Sequence, residues 1–271
     1  MPFLSKEDYE EPLCPLEKPG AVNRIPVARI REKLDEYMFR NDADAARQHL
    51  RYWLEEAEFQ RDEDGKLCIL NEQVGMYRML EQKDEALSAA EKALALARHP
   101  ALLDTVTLAT TLINAATAYK AFGMAEKAMP LYEEARAIYE TRLKPDDSRL
   151  GGLYNNMGLA CVETGEWAKA RELYAKALEV MARCERGETD EAITWCNLAD
   201  LEAAEKGPVD SEEAVRACLK KARELLDTPD LPRGSYYAYV CEKCAPVFGY
   251  YGLFLDEREL TRRAEAIHER T

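Results

Sequence analysis

Three asparagines, Asn114, Asn156 and Asn197, recur through the middle of the chain, with Asn155 beside the second. A primary amide donates and accepts hydrogen bonds at once, so a column of them can hold both backbone groups of an extended peptide. Thr117 and Asp200 share that neighbourhood, together with Thr110, Lys120, Leu159, Glu163 and Ile193. Lysine and arginine are sparse among these positions, which favours a neutral or basic peptide. Other chemistry is weakly represented. Cys241–Glu–Lys–Cys244 places two thiols one helical turn apart, half of a zinc site, with no second CxxC and with His49, His99 and His268 far away in sequence. No G-x-S-x-G, phosphate-binding loop or G-x-G-x-x-G occurs. The expectation is a binding protein, with no catalytic residue, no metal and no cofactor.

The elements that would position these amides repeat. One copy runs Leu112–Ala115–Ala116–Tyr119, then Gly123, then Ala128–Tyr132–Ala135. The next runs Tyr154–Met157–Gly158–Cys161, then Gly165, then Ala170–Tyr174–Ala177, every landmark moved by 42 positions. Small residues let two antiparallel helices approach, and larger ones fill the gap to the next pair. Gly123 and Gly165 suit the left-handed residue that ends a helix. Gly158 then faces its own partner helix. A residue two positions earlier lies about 200° round the axis. Asn156 therefore points to the inner wall, and Asn114 and Asn197 are assigned to the same slot, forming one row on three successive first helices.

The pattern extends both ways. Residues 1–25 carry Pro2, Pro12, Pro15 and Pro19 and read as an extended arm. From Pro26 a stripe of Val27, Ile30, Leu34 and Tyr37 has helical spacing and is broken at Asn41–Asp42. Ala46, Leu50 and Trp53 mark its partner, and Asp62–Gly65 reads as the next turn. A helix over about Leu67–Leu80 pairs with one bearing Ala86, Ala90 and Ala93. A fifth pair begins near Glu191, with a turn at Lys206–Asp210 about three residues longer than its predecessors. A sixth has Phe248, Gly252 and Leu260. Tyr236, Tyr237, Tyr239, Phe248, Tyr250, Tyr251 and Phe254 either cap its core or form an interface. The prediction is an all-α, right-handed solenoid of about six hairpins over 26–271, strongest at 109–150 and 151–190.

Composition excludes several partners. The 271 residues carry a formal charge of −14, which disfavours nucleic acid and anionic membrane surfaces. No apolar run of about 18 residues occurs. The eight cysteines are scattered rather than framed for disulfides. The opening residues turn acidic at once, and the expected location is cytoplasmic.

The strings Ala125–Glu–Lys–Ala–Met–Pro–Leu–Tyr–Glu–Glu–Ala135 and Tyr154–Asn–Asn–Met–Gly158 resemble the 42-residue tetratricopeptide repeat of kinesin light chains and many bacterial repeat proteins. That resemblance implies a peptide- or protein-binding adaptor whose inward asparagines hold ligand main chain. Asn114, Thr117, Asn155, Asn156, Asn197 and Asp200 would line its groove. The alternatives are a ligand-gated regulator resembling bacterial peptide sensors, and an assembly scaffold using the tyrosine-rich C-terminal end. The oligomeric state is open.

Overall fold

The computed structural model describes residues 24–269, so the expected N-terminal arm lies outside the described residues except for Arg24 and Ile25. The described residues hold twelve α-helices and no strand. They are α1 (Val27–Phe39), α2 (Ala43–Gln60), α3 (Glu63–Met79), α4 (Lys83–Ala97), α5 (Val106–Ala121), α6 (Ala125–Arg142), α7 (Ser148–Glu163), α8 (Trp167–Met181), α9 (Glu188–Asp210), α10 (Glu212–Leu226), α11 (Ser235–Tyr250) and α12 (Phe254–His268). The fold is an all-α helical repeat.

Local chemistry sets the boundaries. Asp42 accepts from the Ala45 N–H at 3.0 Å and opens α2, while Thr105 accepts from Leu108 and opens α5. Such caps satisfy donors that a helix start leaves without partners, each contributing about 1 kcal/mol. Asp62 corrects one sequence expectation. The segment Asp62–Gly65 is the cap and first turn of α3 rather than a loop, so α3 starts well before Leu67. The buried Asp62 carboxylate accepts from the Gly65 N–H at 3.0 Å and from the Ile25 N–H at 2.9 Å. A Cβ on Gly65 would fall 2.4 Å from that carboxylate, so only glycine fits.

The turns inside the middle hairpins keep the sequence period. Glu81, Gly123, Gly165 and Gly207 stand 42 residues apart, and all four have positive φ, from 57° to 81°. Glu81 holds without glycine a conformation that normally favours it. Gly207 kinks the chain within α9, and Pro208–Asp210 supply the three extra residues expected before α10.

Two compact units divide between Ala135 and Arg136, within α6. In the N-terminal unit, Ile30, Leu34, Leu50, Trp53 and Ile69 pack into one core, and Val74, Ala89, Ala90, Ala115 and Ala118 into another. The second is built largely from alanine, which lets α3, α4 and α5 lie close. In the C-terminal unit one core joins α9 to α12 through Val215, Leu219, Leu226, Tyr237, Phe248 and Leu260. Burying each large side chain stabilises by about 1.5–3 kcal/mol. The aromatic run therefore splits: Tyr237 and Phe248 are core, whereas Tyr236, Tyr239, Tyr250 and Phe254 are exposed.

Candidate functional site

Within the N-terminal unit the amides meet as a clasp between α3 and α5. Asn71 Nδ2 donates to the Leu67 carbonyl one turn back and to Thr111 Oγ1 on α5, both at 3.0 Å. Its Oδ1 accepts from Asn114 Nδ2, also at 3.0 Å. Thr111 and Asn114 stand three residues apart on α5 and so share a face. Thr111 passes its own proton to the Thr107 carbonyl. Thr117, one turn beyond Asn114, bonds Tyr132 Oη at 3.0 Å.

The C-terminal unit repeats the device between α7 and α9. Asn155 Nδ2 donates to Thr194 Oγ1 at 2.8 Å, and Asn155 Oδ1 accepts from Asn197 Nδ2 at 3.4 Å. Thr194 donates to the Asp190 carbonyl. Asn156, by contrast, turns its amide onto the Gly152 carbonyl of its own helix at 3.0 Å. The partner that the structure brings to Asn197 is Asn155, not Asn156. Asp200, one turn beyond Asn197, accepts from Tyr251 Oη at 2.9 Å, and Asp190 accepts from Tyr236 Oη. Burial raises both aspartate pKa values, against the lowering effect of those tyrosine hydrogen bonds. Burial and the facing carboxylates push both phenols up as well. The result is a half-buried row of fixed polar groups along α9.

Two family models match, both described as tetratricopeptide repeat, over residues 108–148 and 149–226. Residues 108–226 are tetratricopeptide repeats. Solved structures of like fold include BtubC (BKLC) from P. vanneervenii, 22% identical with a TM-score of 0.64 over 74% of this chain and 79% of that one. A putative kinesin light chain with nearly identical TPR-like repeats from Podosopora anserina is 17% identical, with a TM-score of 0.51 over 74% and 94%. Aspartyl phosphate phosphatase F from Bacillus subtilis is 15% identical, with a TM-score of 0.57 over 89% of this chain and 60% of that one. No curated protein matches. Tetratricopeptide repeats are generally protein-interaction modules, which supports an interaction role for this part of the chain.

The repeat register shows what sequence reading missed. Counted back from the left-handed turn residue, Asn71, Asn155 and Asn197 each stand ten positions before Glu81, Gly165 and Gly207, while Asn114 and Asn156 stand nine before theirs. Asn71 was findable by that count. The register also pairs Tyr132 with Tyr174 and Thr117 with Leu159, each 42 residues on. Tyr132 has its threonine. Tyr174 Oη is buried and has no hydrogen-bond partner among the described residues, and the residue 42 positions after Thr117 is Leu159, which carries no hydroxyl. Cys241 and Cys244 are buried free thiols in the core of the C-terminal unit. Burial pushes the Cys241 thiol up to about 11. Cys244 lies against Cys196, whose pKa is raised by that contact and by burial. No group of three or more metal-ligating side chains forms among the described residues.

Proposed function

We propose that this is a non-enzymatic adaptor whose first helices hold an extended peptide through its main chain. The observation that carries the reading is the repeated asparagine–threonine clasp. Asn114 and Asn197 each commit one amide N–H to the preceding asparagine. The second N–H and the carbonyl oxygen of each remain for a ligand. Because the clasp fixes each amide beforehand, a peptide need not order it on binding, and preorganisation of this kind supports affinity. Thr117 and Asp200 extend the row by one turn in their respective units, each held by a tyrosine. The carboxylates of Asp190, Glu163 and Asp200 favour a neutral or basic peptide. Reduced cysteines suit a reducing compartment such as the cytoplasm.

The test is affinity for a peptide selected by display on the intact chain, measured by fluorescence anisotropy. Replacing Asn114 or Asn197 with alanine removes one or two peptide bonds, each contributing about 0.5–1.5 kcal/mol. Affinity then falls about threefold to a hundredfold for the unit that binds, with an unchanged helical spectrum. Equal affinity in both single variants and in the double variant would remove the first-helix face from the binding site.

A further inference from the structure

The polar row on α9 contains a carboxylate without a counter-ion. Asp200 is half-buried and stands one turn beyond Asn197. Its Oδ1 accepts from Tyr251 Oη at 2.9 Å, its one hydrogen bond among the described residues. Burial raises its pKa, the tyrosine lowers it, and no lysine or arginine charge reaches it. Glu202, two residues on, is treated differently: Arg171 of α8 and Lys206 of α9 both neutralise it. A half-buried carboxylate with no cation carries a desolvation cost that nothing in the chain offsets. Asp200 Oδ2 is not one of the buried unpartnered atoms, so it stays open to a ligand.

A second, independent group marks the same place. Tyr174 of α8 is fully buried, and its Oη has no hydrogen-bond partner among the described residues. Its ring crosses α7 at Gly158, where an added Cβ would lie 2.4 Å from Cε1 and 2.8 Å from Cζ. Burial pushes the phenol up, and so do Asp200, Cys161 and Glu163, with no cation among them. Oxygen-bearing side chains from α7, α8 and α9 thus stand close enough to act on one another.

What this set lacks is a positively charged donor. An ammonium presents three N–H groups and a guanidinium five, and neither accepts. Their bonds to carboxylates are among the stronger hydrogen bonds. An acidic side chain would be repelled by Asp200 and Glu163, and an apolar one would leave the oxygens unpaired.

We infer that Asp200, with Glu163 and the Tyr174 hydroxyl beside it, is a subsite for a lysine or arginine side chain of the bound peptide. This rests on the peptide-binding reading and narrows it, since a neutral peptide would leave the subsite empty. The hydroxyl is closed to solvent in the unliganded chain. The incoming nitrogen therefore meets it through a side-chain rotation of the kind common at interfaces.

The experiment takes a peptide selected by display on the full chain and a set of neutral twins. In each twin one lysine is replaced by norleucine, or one arginine by citrulline. Fluorescence anisotropy compares them on wild type, Asp200→Asn, Tyr174→Phe, Asn114→Ala and Asn197→Ala. Asp200→Asn still accepts from Tyr251 and Tyr174→Phe keeps its ring, so the helical spectrum should not change. Wild type should bind one twin about tenfold to hundredfold more weakly than the parent peptide. Asp200→Asn should lose a similar factor on the parent and nothing on that twin. Tyr174→Phe should lose about threefold to tenfold on the parent alone. Selected peptides without lysine or arginine overturn the inference, as does a parent that binds Asp200→Asn or Tyr174→Phe as tightly as wild type. The asparagine variants keep the two readings apart. Loss in Asn197→Ala with none in Asp200→Asn removes the cationic subsite alone. Loss in Asp200→Asn with none in either asparagine variant upholds the subsite and removes the main-chain grip.

Discussion

Tyr132 and Tyr174 occupy one slot of two successive repeats, yet replacing each with phenylalanine should move stability in opposite directions. Both rings are fully buried, so losing a hydroxyl leaves packing almost unchanged. At Tyr132 it breaks the 3.0 Å bond with Thr117, costing about 0.5–1.5 kcal/mol net. At Tyr174 it removes a buried hydroxyl with no partner among the described residues. Leaving such a group unpaired costs about 1–3 kcal/mol, so its removal stabilises by about 1 kcal/mol. The variants should therefore differ by about 2 kcal/mol. At about 2–4 °C per kcal/mol for a chain of this size, that is about 4–8 °C in melting temperature. Thermal unfolding followed by circular dichroism at 222 nm, with all three proteins at one concentration, reads it directly. If Tyr174→Phe melts lower than wild type by as much as Tyr132→Phe, the Tyr174 hydroxyl has a partner and the reasoning is refuted.

Two further perturbations test the packing and the electrostatics. A Cβ at Gly158 would lie 2.4 Å from Tyr174 Cε1, whereas one at Gly152 meets nothing within 4 Å. Gly158→Ala should cost about 1–3 kcal/mol and Gly152→Ala should gain about 0.5–1 kcal/mol of helix propensity; equal melting shifts would show that α7 and α8 are not in contact at Gly158. Burial raises the folded-state pKa of Asp200 above its ordinary 3.8, so the native state keeps a proton that the unfolded chain has already lost. The stability this site contributes is thus complete below the ordinary value and falls as pH rises through the folded one. Asp200→Asn, which still accepts from Tyr251, should raise the melting temperature at neutral pH by about 1–4 °C and lose that advantage below about pH 4. An advantage independent of pH would show that ionisation of Asp200 carries no cost.

The hairpins were legible because small residues and turn residues recur at a fixed spacing that only close helix packing requires. Asp62–Gly65 was misread because the same residue types serve a turn and a helix cap. What marks the cap is the Asp62 side chain accepting from the Gly65 N–H, and the same carboxylate also ties down Ile25, 37 residues away, a contact that no local pattern contains. The asparagines show the same limit more finely. A 42-residue step from Asn114 lands on Asn156, and the same step from Asn155 lands on Asn197. A row through Asn114, Asn156 and Asn197 therefore mixes two slots. The structure separates them by the groups each amide meets. Asn155 finds a threonine and an amide on the following first helix, while Asn156 finds the backbone of its own. One position round a helix is about 100°, enough to turn a side chain from a neighbouring helix to its own backbone. Periodicity can place an element. Assigning a hydrogen bond to one of two adjacent asparagines requires knowing what stands opposite, and here Thr194 decides it.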